Sequence, residues 1–277
     1  MKADQLEIVS LGTQHLEGAL ALSRQAGWPH RMADWEMALA LSTGVVALES
    51  DKIVGTTLTT RYGTDCATIN MVIVDEAMRG RGLGRRLMQA GLDAAGSLPC
   101  RLIATDEGLP LYESLGFRQV GAIVQHQGFC SAVEAPVDVE WAQPSHLAEI
   151  EALDQLAFGA IRGELLSYLN QVGRFAVIRR GGHVSGFSTS RPFGRGEVIG
   201  PVVAENGEDA RKLILFQIAA RRHTFLRMDT ATNLGLSSWL TELGLVHVGG
   251  GTAMQRGGNT HSSPRVKTFA LANQAFG

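Results

Sequence analysis

Cysteine is scarce in this chain of 277 residues. Cys66, Cys100 and Cys130 are odd in number and scattered without metal-ligand spacing, which argues against a disulfide framework or a zinc site and for reduced, partly buried thiols. Charge of one sign is also missing. The net charge of −2 gives no overall field to attract nucleic acid or an anionic membrane, so any positive charge meant for phosphate must be gathered locally. No apolar run approaches the length that spans a bilayer, and the start MKADQLEIVS lacks the basic region and apolar core of a signal peptide, so a cytoplasmic protein is expected. What remains, 45% hydrophobic and 19% charged residues, is the composition of a globular protein long enough for two domains.

Set against itself at an offset of roughly 130 residues, the chain repeats. IVSLGTQHLEGALALS matches VEWAQPSHLAEIEALD, VVALESDKIVGTTLTTR matches FAVIRRGGHVSGFSTSR, and LPLYESLGFRQVG matches SSWLTELGLVHVG. Each copy reads as an extended run, helices, a hairpin, then strand, helix, strand, helix, strand. Hairpin turns are expected at Asp51-Lys52 and Gly181-Gly182. Leu83, Leu87, Met88, Gly91, Leu92 and Ala95 recur at helical spacing, and Gly116 stands where a helix ends. The reading is two α/β units joined near SAVEAPVDVEW, residues 1–132 and 133–277.

Between Asn70 and Leu87 the first copy reads NMVIVDEAMRGRGLGRRL. Met71 to Val74 is a buried type of strand. The glycines after it let backbone approach a ligand, and the free N–H groups opening a helix form an anion site to which Arg79, Arg81, Arg85 and Arg86 add charge. A nucleotide P-loop is excluded because Gly84 is followed by Arg85-Arg86 and not by Lys-Ser/Thr; the dinucleotide fingerprint is excluded because Arg85 stands where its third glycine belongs.

Arg79-x-x-Gly82-x-Gly84 after a strand and opening a helix, followed by ATDEGLPLYESLGF, resembles the GNAT acetyltransferase superfamily. The resemblance implies α/β (α+β) architecture, with two tandem domains that are each a mixed, mostly antiparallel twisted sheet flanked by helices. It implies acetyl-coenzyme A as cosubstrate, no metal, and acyl transfer to a primary amine of a small molecule or peptide. The strand Val72, Ile73 and Val74 would take the pantetheine arm. The loop Arg79, Gly80, Arg81, Gly82, Leu83, Gly84 and Arg85 would hold the pyrophosphate. Tyr112 falls where the family places a general acid for the departing thiolate, and Thr105 stands where some members carry an asparagine.

The base stays open among His30, Asp34, Asp106, Glu107 and His126. AGWPHRMADW lies where the family closes over its acceptor, which makes Trp28, His30, Asp34 and Trp35 candidate pocket residues; core packing is the alternative for both tryptophans. In the second copy ENGEDARKL replaces the glycine loop, its carboxylates Glu205, Glu208 and Asp209 repel pyrophosphate, and Leu240 stands opposite Tyr112. That copy is expected to be degenerate, with Trp239, His223 and His247 as candidates to face the cleft and core packing as the equal alternative for Trp239. The competing reading is a coenzyme A-binding sensor or scaffold without turnover. Neither nucleic acid nor membrane is expected as a partner, and the chain is expected to be a monomer or homodimer.

Overall fold

Two-residue hairpins, glycine-capped helices and β-branched strands appear in the same order twice along the chain. A computed structural model describes residues 6–258, 263 and 265–277; the first five residues of the MKADQLEIVS start lie outside the described residues. In the first half, β1 (Leu6–Ser10) leads into α1 (Leu16–Gln25) and α2 (Met32–Ala40). A hairpin follows, β2 (Thr43–Glu49) and β3 (Lys52–Tyr62), then β4 (Cys66–Val74), α3 (Leu83–Ala95), β5 (Cys100–Ala104), α4 (Leu109–Ser114) and β6 (Arg118–Phe129). The second half repeats this with β7 (Val139–Trp141), α5 (Leu147–Phe158), α6 (Gly163–Val172), β8 (Arg174–Arg180), β9 (His183–Phe193), β10 (Gly196–Ala204), α7 (Gly207–Ala219), β11 (Phe225–Ala231), α8 (Ser237–Glu242) and β12 (Val246–Arg256). It then adds β13 (Lys267–Ala270), a strand with no counterpart among the described residues of the first half.

The expected element order is present in both halves. The first hairpin turn sits one residue earlier than expected: Glu49 pairs with Lys52, and Ser50 and Asp51 take φ of 49° and 66°, the left-handed pair that a two-residue turn between twisted strands demands. Gly181 and Gly182 do the same between Arg180 and His183. On α3, the buried residues are Leu83, Leu87, Met88, Gly91, Leu92 and Ala95, the stripe that the periodicity marks. Gly91 allows this helix its close approach, since a Cβ there would stand 3.3 Å from Ile69 Cγ2 and Thr57 Oγ1. Thr59 Oγ1 donates to Gly91 O at 2.9 Å across the same contact.

Among the described residues, the strands join one mostly antiparallel 13-stranded sheet in the order β1-β2-β3-β4-β5-β12-β6-β11-β10-β9-β8-β7, with β13 against β10. The two halves exchange their last strands. β12 of the second half pairs with β5 (Thr252↔Ala104 to Arg256↔Cys100), and β6 of the first half pairs with β11 (Phe225↔Phe129 to Ala231↔Ile123). β6 and β12 then pair with each other and make the sheet continuous. The core is shared as well: Leu20, Trp35 and Leu58 belong to one buried cluster with Ile150, Leu165, Phe187 and Phe276.

Candidate active site

The site begins where β4 and β5 part. These parallel strands pair only at Ala67↔Cys100 and Thr68↔Arg101. Beyond that point β4 carries a bulge: the register with β3 shifts between Thr56 and Leu58, Met71 takes a φ of 50°, and Thr56 Oγ1 donates to Met71 O at 2.7 Å. The parted strands open a cleft of about 250 Å³. Ile69, Asn70, Met71 and Val72 form one wall, and Leu102, Ile103 and Thr105 the other. Of the candidate strand residues, Val72 therefore lines the cleft, while Ile73 is buried in the core and Val74 packs beside Leu83 and Leu87.

From β4 the chain runs through a short turn capped by Asp75, whose Oδ1 accepts from Ala77 N at 2.9 Å, to the glycine loop. Gly80 and Gly82 have φ of 75° and 77°, so a side chain at either is strained. A Cβ on Gly84 would press on Leu111 Cδ2 at 3.2 Å. The first helical bond of α3 is donated by Arg86 N to Gly82 O, which leaves the amides of Leu83, Gly84 and Arg85 free of intrahelical acceptors. The arginines are held loosely, Arg81 in part by donation to the buried Met78 Sδ at 3.6 Å and the rest from the surface. Arg79 meets Glu107 at 3.4 Å, Arg81 meets Glu49 at 3.8 Å, and Arg85 donates to Ser114 Oγ at 2.7 Å. Exposed pairs of this kind contribute about 0–1 kcal/mol and yield readily to a phosphate.

Tyr112 reaches the cleft from α4. Its ring is buried edge-on to Phe117, and burial pushes its hydroxyl up to about 12. The proton therefore stays on the oxygen at neutral pH. Trp28 and His30 close the cleft from the α1–α2 connection. The His30 ring stands 5.6 Å from Trp28 and 5.8 Å from Phe193, its Nδ1 is 3.1 Å from Ser23 Oγ, and burial brings it down to about 4, so it is neutral. Trp35 and Asp34 stand behind this wall. Trp35 is fully buried and donates to Ser23 Oγ at 3.0 Å. Asp34 accepts from the Arg31 guanidinium at 2.8 Å, from Arg31 N at 2.9 Å and from Gly194 N of the second half at 3.1 Å; burial opposes its charge, but these bonds, the Arg31 side chain's foremost, hold its carboxyl below the usual carboxylate range.

Of the residues considered as a base, only His30 lines the cleft among the described residues. Asp106 is exposed, Glu107 pairs with Arg79, and His126 is buried with its Nε2 2.8 Å from Ser237 Oγ. Trp239 stacks under Arg211, and neither it, His223 nor His247 reaches the cleft. The second half supplies other groups instead: Phe193 from β9, Arg227 from β11, Gly250 from β12, and Asn273, Gln274 and Ala275 from the segment after β13. Gln125 of the exchanged β6 and Asn70 complete the polar lining. Sequence reasoning missed all of these, although Asn70 in the apolar run CATINMVIV and the Arg227-x-Asp229 spacing in FLRMDT are visible signals.

The matching notch of the second half is filled by its own chain. β10 pairs with β11 only at Glu197↔Leu226 and Val198↔Arg227, as β4 does with β5. β13 then occupies the gap, pairing with β10 from Val202↔Ala270 to Ala204↔Lys267. At the start of α7 the Asn206 side chain accepts from Asp209 N at 2.9 Å, and Asp209 itself binds Arg180 at 2.5 Å, so that helix end is already satisfied by a side chain. Leu240, opposite Tyr112, is buried in the core.

Models of the acetyltransferase (GNAT) domain match residues 20–132 and 150–270. The chain belongs to the GNAT acetyltransferase family. It is an acyltransferase with two GNAT domains in tandem. The GNAT chain is 29% identical over 253 residues to the uncharacterized N-acetyltransferase YitH of Bacillus subtilis, covering 86% of this chain and 87% of the relative. In fold it is similar to an acetyltransferase from Pyrococcus horikoshii, with a TM-score of 0.84 at 19% identity over 100% of this chain and 98% of the other. It is also similar to a tandem GNAT protein from the clavulanic acid pathway, with a TM-score of 0.61 at 16% identity over 92% of this chain and all of the other. Among the described residues no helix is long and apolar enough to cross a membrane, and no cluster of His, Cys, Asp and Glu is placed to hold a metal ion.

Proposed function

We propose that the first half binds acetyl-coenzyme A and passes its acetyl group to a primary amine, while the second half is non-catalytic and completes the acceptor cleft. The observation that carries this reading is the contrast between the two notches, one open beside a glycine loop with free amides, the other occupied by β13. The open notch fits the cosubstrate: the β4 edge is available to a pantetheine arm, left-handed Gly80 and Gly82 leave the loop bare, and Arg79, Arg81 and Arg85 stand around it. Bound there, acetyl-coenzyme A supplies an activated thioester.

The chain's own residues orient and exclude. Met71 and Val72 direct the bulged backbone into the cleft, and Tyr112 holds a proton at its hydroxyl for a leaving thiolate. Trp28, His30 and Phe193 keep water from the acceptor side. His30, at about 4, is too weak a base to take a proton from an ammonium group, so the amine arrives neutral or loses its proton to water.

Isothermal titration with acetyl-coenzyme A, joined to a thiol-release assay over an amine panel, tests the reading. Binding is expected in the wild type and about 100-fold weaker in Gly82→Asp, through backbone strain and like-charge repulsion. Tyr112→Phe is expected to keep binding and lower kcat about 100-fold. Absence of binding in the wild type sinks the proposal, and binding with no turnover of any amine makes the protein a sensor.

A further inference from the structure

The acceptor end of the cleft contains groups that the acyl-transfer reading leaves unused. Arg227 lines the cleft, and its guanidinium is only partly occupied: Nε and one terminal nitrogen hold Asp229 at 2.9 and 3.0 Å, while Nη1 has no partner among the described residues. Asp229 is fully buried and also accepts from Gln274 Nε2 at 2.8 Å, so the fork is fixed in place from two sides. Behind Arg227 the charges do not balance. Arg31, Arg191 and Arg227 face Asp34 and Asp229, one positive charge in excess, and neutral His30 compensates nothing. Glu197, on the other side of Arg227, is already held by Arg221 at 2.5 Å. Arg191 makes the excess acute: it is 2% exposed, lies 3.9 Å from Asp34, and leaves Nε and Nη2 unpaired.

A second observation comes from the opposite wall. Asn70 is 6% exposed and lines the cleft; its Nδ2 donates to Thr60 Oγ1 at 3.0 Å, which fixes the amide and leaves Oδ1 buried without a donor. An unfilled acceptor on the β4 side and an unfilled cationic donor on the β11 side ask for a ligand with N–H at one end and an oxyanion at the other.

We propose, resting on the acyl-transfer reading, that the acceptor is an amino-carboxylate, its amine directed to Asn70 Oδ1 beside the β4 bulge and its carboxylate held by Arg227 of the second half. The non-catalytic half thereby sets substrate class. Polyamines and other acceptors that carry only positive charge meet the open Nη1 of Arg227 and the excess positive charge of its cluster at the same place.

The full-length protein is tested with acetyl-coenzyme A and paired acceptors, α-amino acids against the amines that differ from them only by loss of the carboxylate. Amino acids are expected to show kcat/KM about 10- to 100-fold higher, the value of a hydrogen bond to a charged group. Thermal shift of the protein without cosubstrate is expected with the amino acid and not with its decarboxylated partner. In Arg227→Gln the preference is expected to fall toward one, through KM and not kcat. Because that variant strands a buried carboxylate, Arg227→Gln/Asp229→Asn, which keeps the pair neutral, repeats the measurement in a chain whose fold is checked by circular dichroism. Equal or better use of the decarboxylated amines, turnover of no panel member, or an unchanged preference in the double variant overturns the assignment while acetyl-coenzyme A binding still stands. Failure to bind acetyl-coenzyme A overturns the acyl-transfer reading beneath it.

Discussion

At the scale of single residues, His30 links the cleft wall to stability. Burial among Trp28, Trp35 and Phe193 lowers it from 6.5 to about 4, with Asp34 opposing and Arg227 and Arg191 reinforcing the shift. Between those two values the unfolded chain binds a proton that the folded chain refuses, so stability rises with pH there and is lost as pH falls from 6.5 toward 4. The loss is expected to reach about 3 kcal/mol. Urea denaturation at stepped pH measures it, and His30→Gln is expected to flatten the curve over that window. A wild-type midpoint that does not move between pH 7 and pH 5 contradicts the assignment. Trp28 and His30 were legible in AGWPHRMADW because aromatic residues in a loop are conspicuous in a chain that is 6% aromatic. Whether Trp35 faced the cleft or the core was not legible, since a shift of one or two residues in where the helix starts, about 100° each, rotates a side chain between the two.

At the scale of elements, local signals carried far and pairing did not. The stripe on α3, the glycine loop and the cap at Gly116 all follow from interactions within a few residues, which the sequence spells out directly. β13 is different: KTFA has no periodicity long enough to mark it, and its partner lies about 65 residues away, where only tertiary contact selects the pairing. Its seat is tight. A Cβ on Gly200 would come within 1.9 Å of Leu271 O, just past the end of the strand. Gly200→Ala is therefore expected to push the segment after β13 off the sheet, at a cost of about 3 kcal/mol. The same shift moves Asn273 and Gln274 out of the cleft, so KM for the acceptor rises while acetyl-coenzyme A binding holds. Urea denaturation together with initial-rate kinetics checks both effects; wild-type stability in this variant refutes the packing argument.

At the scale of the whole molecule, the repeat visible in the sequence suggests two independent units, and the strand exchange argues otherwise. β6 belongs to residues 1–132 by sequence, yet its two edges pair with β11 and β12, both from the second half. An isolated first half would expose both edges of β6 and the β5 edge that β12 covers, each an invitation to aggregate. It would also lose the far side of its core, where Trp35 and Leu58 share a cluster with Ile150, Phe187 and Phe276, and where Tyr62 donates to Phe276 O at 2.8 Å. On the second-half side, fully buried Arg162 grips the same segment through Phe276 O and Gly277 O while paired to Asp154 at 2.6 Å. Residues 1–132 expressed alone are accordingly expected to be aggregated or to unfold without cooperativity, and the intact chain to unfold in a single transition. Co-expression with residues 133–277 is expected to return a 1:1 complex that elutes with the intact chain on size exclusion. A monodisperse, cooperatively unfolding first half would show that the exchanged strands are interchangeable with its own, and that the second half is needed for the acceptor cleft alone.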